Sequence, residues 1–259
     1  MLSIVIPARN DAAALGHTLD HLQRLDIRHP IEVIVAAWGD VQGTTSAVRQ
    51  RATLIWPAGS TRADLMNAGA AAATGDVLLF LHADSVPPFE LCQLIAAALE
   101  DGTVAGGAFE HRFVERDWRL FVISAIDRIR YRITRNYYGD QGIFVRASAF
   151  RQLGGYRRLA LMEDVDFSQR MKRLGPTTLI RVPLDTSGRR FLDRGPWRTL
   201  LHCAWLIVLW TIGVDTERYA ERWRGPADRA PGSRSYNPAA LPHPPTSITG
   251  VHRSTPGRS

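Results

Sequence analysis

Short apolar runs alternate with helix-period stretches over roughly the first hundred residues. Ser3-Ile4-Val5-Ile6-Pro7 predicts a buried strand ended by proline, after which Leu15, Leu19 and Leu22 recur at helical spacing. Ile31 to Ala36 predicts a second strand, and Thr53 to Trp56 a third, closed by Pro57-Ala58-Gly59. The alanine-rich stretch from Ala63 to Ala73 predicts a helix that Gly75 ends. The next run, Val77 to Leu81, is apolar without interruption, drives into His82-Ala83-Asp84 and stops at Pro87-Pro88. A strand apolar on both faces belongs in the middle of a helix-covered parallel sheet. The alternation therefore predicts an α/β fold with a mostly parallel sheet flanked by helices.

Beyond Glu100 the alternation breaks. Val104 to Val114 predicts a strand, Trp118 to Arg132 a helix, Gly142 to Arg146 a strand, Glu163 to Leu174 a helix and Thr178 to Val182 a last strand. In the helix from Trp118, the residues Trp118, Val122, Ala125, Ile129 and Ile133 share one face while arginines cluster elsewhere. That pattern suits either an edge or lid helix with a solvated side, or a helix lying on a membrane. From Trp197 to Val214 a helix is predicted with almost no polar side, too short to span a bilayer, which needs about 20 apolar residues. A core, a homodimer interface or the bilayer boundary would each bury it.

Composition narrows the classes. At 45% hydrophobic and 22% charged, the 259 residues suit one domain, residues 1–222, and a Pro/Arg/Ser-rich disordered tail, residues 223–259. Cys92 and Cys203 offer neither a disulfide framework nor metal spacing, which fits a reducing cytoplasm. No signal peptide precedes the first strand. The formal charge of +7 invites a nucleic-acid reading, but Lys172 is the only lysine and no nucleic-acid module is present. Arginines on both sides of the apolar helix keep peripheral contact with an anionic membrane, on its inner face, among the expectations.

The candidate chemistry sits in two carboxylate clusters. Ligands of open α/β sheets gather at the carboxyl ends of strands, where Asp84 falls. An acid there can hold Mg²⁺ or Mn²⁺ against a diphosphate, or it can cap the turn into a helix starting near Phe89. In Met162-Glu163-Asp164-Val165-Asp166, helical spacing puts Asp164 on one inward face with Phe167, Met171 and Leu174, as suits a general base. Asp166 falls on the outer face, paired with Arg170 at i+4, and Glu163 suits the helix N-terminus.

In order, Pro7-Ala8-Arg9-Asn10-Asp11, Arg62 with Asn67-Ala68-Gly69, Leu81-His82-Ala83-Asp84, Tyr138-Gly139-Asp140-Gln141-Gly142, Met162-Glu163-Asp164 and Thr186-Ser187-Gly188-Arg189-Arg190 together resemble family 2 glycosyltransferases of the GT-A (Rossmann-like) fold. The resemblance is closest to a small bacterial subgroup labelled as arsenosugar-biosynthesis or radical-SAM-associated glycosyltransferases. It implies a hexosyltransferase with a nucleotide-sugar donor, a divalent cation at Asp84, and His82 as a second ligand or diphosphate contact. Asp164 matches the catalytic base of an inverting transfer to an acceptor hydroxyl. On the donor, Arg62 and Arg189 or Arg190 would neutralise phosphates beside Pro7, Asn10, Asp11 and Asn67. Gly139, Asp140, Gln141 and Glu163 would line the acceptor side.

One departure stands out. The family carries an acid after the second strand, and this chain has Ala37 there, followed by Trp38-Gly39-Asp40. A catalytically weak nucleotide-sugar-binding protein on the same fold is therefore the alternative. A sugar nucleotidyltransferase would resemble a Gly-rich N-terminal loop with a downstream lysine, which this chain lacks.

Overall fold

The computed structural model describes residues 1–26, 30–216 and 219–220, so the disordered tail expected from residue 223 lies outside the described residues. The chain opens as β1 (Leu2–Arg9), α1 (Ala12–Leu22), β2 (Ile31–Trp38), α2 (Val41–Val48), β3 (Thr53–Ile55), α3 (Arg62–Ala72) and β4 (Val77–Phe80). It continues through β5 (Ser85–Val86), α4 (Leu91–Ala98), β6 (Gly106–Phe113), α5 (Trp118–Thr134), a 3-10 turn (Gly139–Gln141), β7 (Ile143–Arg146) and α6 (Ala147–Leu153). Last come α7 (Glu163–Leu174), β8 (Thr177–Thr186), α8 (Arg189–Arg194) and α9 (Pro196–Thr211).

The strands form one eight-stranded sheet in the order β3-β2-β1-β4-β7-β6-β8-β5. The first four run parallel, as the βαβ pattern predicts, with Ile4 opposite Val33 and Leu79. The sheet as a whole is mixed rather than mostly parallel, because β7 is antiparallel to both β4 and β6, and β5 to β8. Pro7 does not end β1 but lies inside it, opposite Ala36. The pairing of β1 with β4 stops at Val5, so the missing proline N–H falls beyond the point where both sides of the strand are paired.

Two apolar layers hold the sheet. Ile4, Ile6, Leu15, Leu19, Val35 and Leu79 pack on one side with α1 and α4. On the other, Val5, Met66, Phe80, Val145, Phe150 and Phe167 pack with α3, α6 and α7. Gly69 lets α3 approach the sheet, since a Cβ there would run into the Val5 side chain. Asp166 is a correction to the helical-wheel reading: its pair with Arg170 forms at 2.7 Å, but both side chains are buried rather than on an outer face. The reason is the segment after α6, whose Leu153 and Gly155 carbonyls accept from Arg170 and close over the pair.

Candidate functional site

β4 delivers His82 and Asp84 to its carboxyl end, and β7 begins beside it, because Phe80 pairs with Ile143 in antiparallel register. The loops His82–Asp84 and Gly139–Gln141 therefore leave neighbouring strands at the same end of the sheet. α3 adds Arg62 at its first position. A capping box fixes that start: Thr61 Oγ1 accepts from the Asp64 N–H while the Asp64 carboxylate accepts from the Thr61 N–H. Burial pushes the Asp64 carboxyl up, but hydrogen bonds from Thr61 and the nearby Arg158 hold it below the ordinary value.

Arg62 is the hub of the constellation. Its guanidinium donates to His82 Nε2, and its Nε lies 3.5 Å from Glu163 Oε1. Burial, together with the charges of Arg62, Arg190 and His111, holds the His82 imidazole well below its ordinary pKa. Because a guanidinium can only donate, His82 Nε2 is the acceptor in this contact. Gly139 closes against the same pair, since a Cβ there would collide with Arg62 and His82.

Asp164 reaches the same glycine. Its Oδ2 accepts the Gly139 N–H at 2.7 Å and its Oδ1 accepts the Val165 N–H at 2.8 Å. Met162, immediately before α7, has φ of 66°, a left-handed backbone that a non-glycine residue adopts at a cost, and such strain clusters at functional sites. Phe167 and Met171 are fully buried on the same helical stripe, as the spacing predicts.

Asp84 does not cap a helix. α4 starts at Leu91 with Glu90 as its flanking residue, and no described side chain or backbone group of another residue donates to the Asp84 carboxylate. Burial, and then the charge of Asp11, raise its pKa to about 6, against the opposing pull of Arg190 and Arg189. Arg189 Nη2 donates to Asp11 Oδ2 at 3.3 Å, tying the start of α8 to the loop after β1. Among the described residues no group of three or more His, Cys, Asp or Glu is arranged to hold a metal. The arrangement still fits a magnesium-like cation, which takes one or two carboxylates and completes its shell with substrate phosphates and water.

Several predicted site residues have partners within the fold. Asn67 Oδ1 accepts from the Tyr156 N–H and its Nδ2 donates to the Tyr156 carbonyl, so its amide tethers the loop before α7. Gln141 is buried, accepts from the Tyr138 N–H and donates to the Phe109 carbonyl, which braces the 3-10 turn against β6. Glu163 is buried, with Oε1 3.5 Å from Arg62 Nε. Asn10 Oδ1 accepts the Asp40 N–H, clipping the loops after β1 and β2 together. Asp40 itself caps α2 through Gly43, and the Arg9 guanidinium lies 4.6 Å over the Trp38 ring.

His111 joins the site only through the fold: it is buried, bonds Thr186 Oγ1 at 2.7 Å and lies 3.9 Å from Asp140 Oδ2. Burial raises the Asp140 pKa and the His111 charge opposes that. Strand parity carries the signal, because Phe109, His111 and Phe113 share one face of β6 and Phe109 is core.

Known structures with this fold support the same reading of the architecture. A mannosyltransferase of Pyrobaculum calidifontis, solved with GDP-Man and Mn²⁺, is similar at 19% identity and a TM-score of 0.57, over 72% of this chain and 56% of that one. TarS residues 1-349 of S. aureus, solved with UDP-GlcNAc, is similar at 14% identity and TM-score 0.56, over 72% of this chain and 58% of that one. Mannosyl-3-phosphoglycerate synthase of Rubrobacter xylanophilus is similar at 16% identity and TM-score 0.51, over 82% and 75%. The chain thus spans little more than half the length of the first two. No curated protein sequence matches it significantly. The family model described as Glycosyl transferase family 2 matches residues 3–162, more than half of the chain, and the protein belongs to that family.

Proposed function

We infer that the protein transfers a sugar, a hexose by the closest resemblance, from a nucleotide-sugar donor to an acceptor hydroxyl, with inversion at the anomeric carbon. One observation carries this reading: Arg62 and His82 on the donor side meet Gly139 and Asp164 on the acceptor side in a single chain of contacts. Asp164 takes the hydroxyl proton as the acceptor oxygen bonds to the anomeric carbon and the bond from that carbon to the diphosphate breaks. Each of its oxygens accepts one backbone N–H, which fixes the carboxylate and leaves a lone pair for the proton. The departing diphosphate keeps the bonding electrons, and Arg62, Arg189 and Arg190 lie where their charges offset it. A divalent cation bound at Asp84 would neutralise the diphosphate oxygens further. We place the reaction in the cytoplasm and keep the arsenosugar-type subgroup as the narrower assignment.

A catalytically weak donor-binding protein is favoured by one feature, the missing acid after β2. Ala37 is buried in the sheet and Asp40 is engaged in its cap. A panel of nucleotide sugars with Mn²⁺, scored for nucleoside diphosphate release and for binding by calorimetry, separates the readings. Release above the no-enzyme rate with at least one donor supports transfer, and binding without any release favours the alternative.

A further inference from the structure

α5 and α9 pack side by side, with the Trp118 and Trp197 rings 6.0 Å apart. Their inner sides are buried through Leu120 and Ile123 on one helix and Thr199 and Leu206 on the other. Their outer sides are not covered by any described residue: Trp118 is 69% exposed, Ile133 78%, Leu201 69% and Ile212 67%. A contiguous apolar surface of this kind on a folded domain marks a contact with another molecule.

The charge pattern selects the occupant. Exposed Arg116, Arg132, Arg135 and Arg198 stand at the ends and edges of this face, none paired with an acidic side chain among the described residues. The acids of α5 and its cap are neutralised in place, Asp117 by Arg119 and Asp127 by Arg130, and α9 has none. A second copy meeting this face through a twofold axis would bring the same positive rim against itself. An anionic bilayer matches it instead, with tryptophans suited to the headgroup level and arginines to the lipid phosphates. No described helix is long and apolar enough to cross a membrane, so the helices would lie on the surface.

The face backs onto the acceptor side. Leu206 of α9 packs with Leu161 and Met162, directly before Glu163 and Asp164. Arg130 of α5 lies 3.7 Å over the Tyr138 ring, next to Gly139. We propose that the outer face of α5 and α9 seats the protein on an anionic lipid bilayer, holding its acceptor side one helix layer away from molecules in that surface. The docking stands independently of the transfer reading; only its consequence, an amphiphilic acceptor presenting a hydroxyl at the lipid surface, rests on it.

The test is flotation of the full chain with phosphatidylcholine vesicles, with and without phosphatidylglycerol, at low and high salt. The protein is expected to float with the anionic vesicles, less at high salt. A Trp118→Ser/Leu201→Ser/Ile212→Ser variant and an Arg116→Gln/Arg132→Gln/Arg198→Gln variant should each lose the interaction, the second by about 100-fold in affinity. Thermal melts confirm that both variants fold, and calorimetry with UDP and GDP plus Mn²⁺ should be unchanged, so docking and donor binding can fail separately. Absence of flotation by the wild-type protein, or flotation that survives both variants, overturns the proposal. So does a dimer by light scattering that the apolar variant converts to monomer, which assigns the face to a second copy.

Discussion

Asp164 Oδ2 accepts the Gly139 N–H at 2.7 Å, so the first turn of α7 and the loop entering β7 are joined through one carboxylate oxygen. Gly139 also closes on Arg62 and His82. Asp164 on one side and Arg62 with His82 on the other are thereby set relative to each other through one glycine.

Asp164→Asn keeps the size of the side chain and can still accept the Gly139 N–H through its amide oxygen. Transfer is expected to fall by roughly 10²- to 10⁴-fold while binding of donor and Mn²⁺ stays close to wild type. Initial rates and calorimetry on the same preparation check this; a nearly full rate would move the base to Asp140.

Asp166→Asn, two residues on, should behave in the opposite way. The buried Asp166 carboxylate holds Arg170 at 2.7 Å and Arg157 at 3.1 Å, and neutralising it leaves Arg170 without its counter-charge. Destabilisation of about 3 kcal/mol is expected in urea unfolding, with the rate per folded molecule little changed.

Gly139→Ala tests the close approach directly. The added methyl has to displace Arg62 or His82, and a misplacement of about 1 Å at a reacting geometry costs about 10²-fold in rate. The melting temperature should move little, because the nearest displaced group is the far end of the flexible Arg62 side chain. An unimpaired rate would show that the Arg62–His82 contact does not position the donor.

Asp84→Asn should abolish the Mn²⁺-dependent part of donor affinity while leaving the fold intact. Titration of donor with and without the metal reads this, and retained metal dependence would remove Asp84 from the site.

Glu32 gives a pH signature of stability. Burial pushes its carboxyl up, but hydrogen bonds from Ser3 Oγ, the Thr74 N–H and hydroxyl and the Gly75 N–H hold the folded pKa below the ordinary 4.5. A depressed folded value means the contribution is full above 4.5 and is lost as pH falls through the folded pKa. Glu32→Gln should therefore cost about 1 kcal/mol at neutral pH, modest because the group is partly solvated, and the gap to wild type should close in acid. A gap that persists unchanged at low pH would assign the effect to packing.

What could be read without coordinates follows from how local each signal is. The parallel half from β1 to β4 is written in apolar runs and glycine stops, and Asp164 in its phase with Phe167 and Met171. The direction of β7 is not, because the four residues Ile143–Arg146 carry the same pattern run either way. Helical phase also places Asp166 beside Arg170 but says nothing of the segment after α6 that covers them. The long-range contacts of Asn67 to Tyr156 and of Gln141 to Phe109 are likewise invisible in a local motif.

The antiparallel seam between β4 and β7 also sets an order of assembly. β1 with β2 and β2 with β3 pair between neighbouring βαβ units, whereas β1 with β4 spans the intervening β2 and β3. Phe80 meets Ile143 across a similarly long stretch of chain, and only once the residues beyond β6 are present; such non-local pairings form late because their entropy is lost before contacts compensate it. A chain emerging N-terminus first would thus hold its parallel half while Arg62 still lacks Gly139 and Glu163, so the constellation around Arg62 is completed only by the second half of the chain.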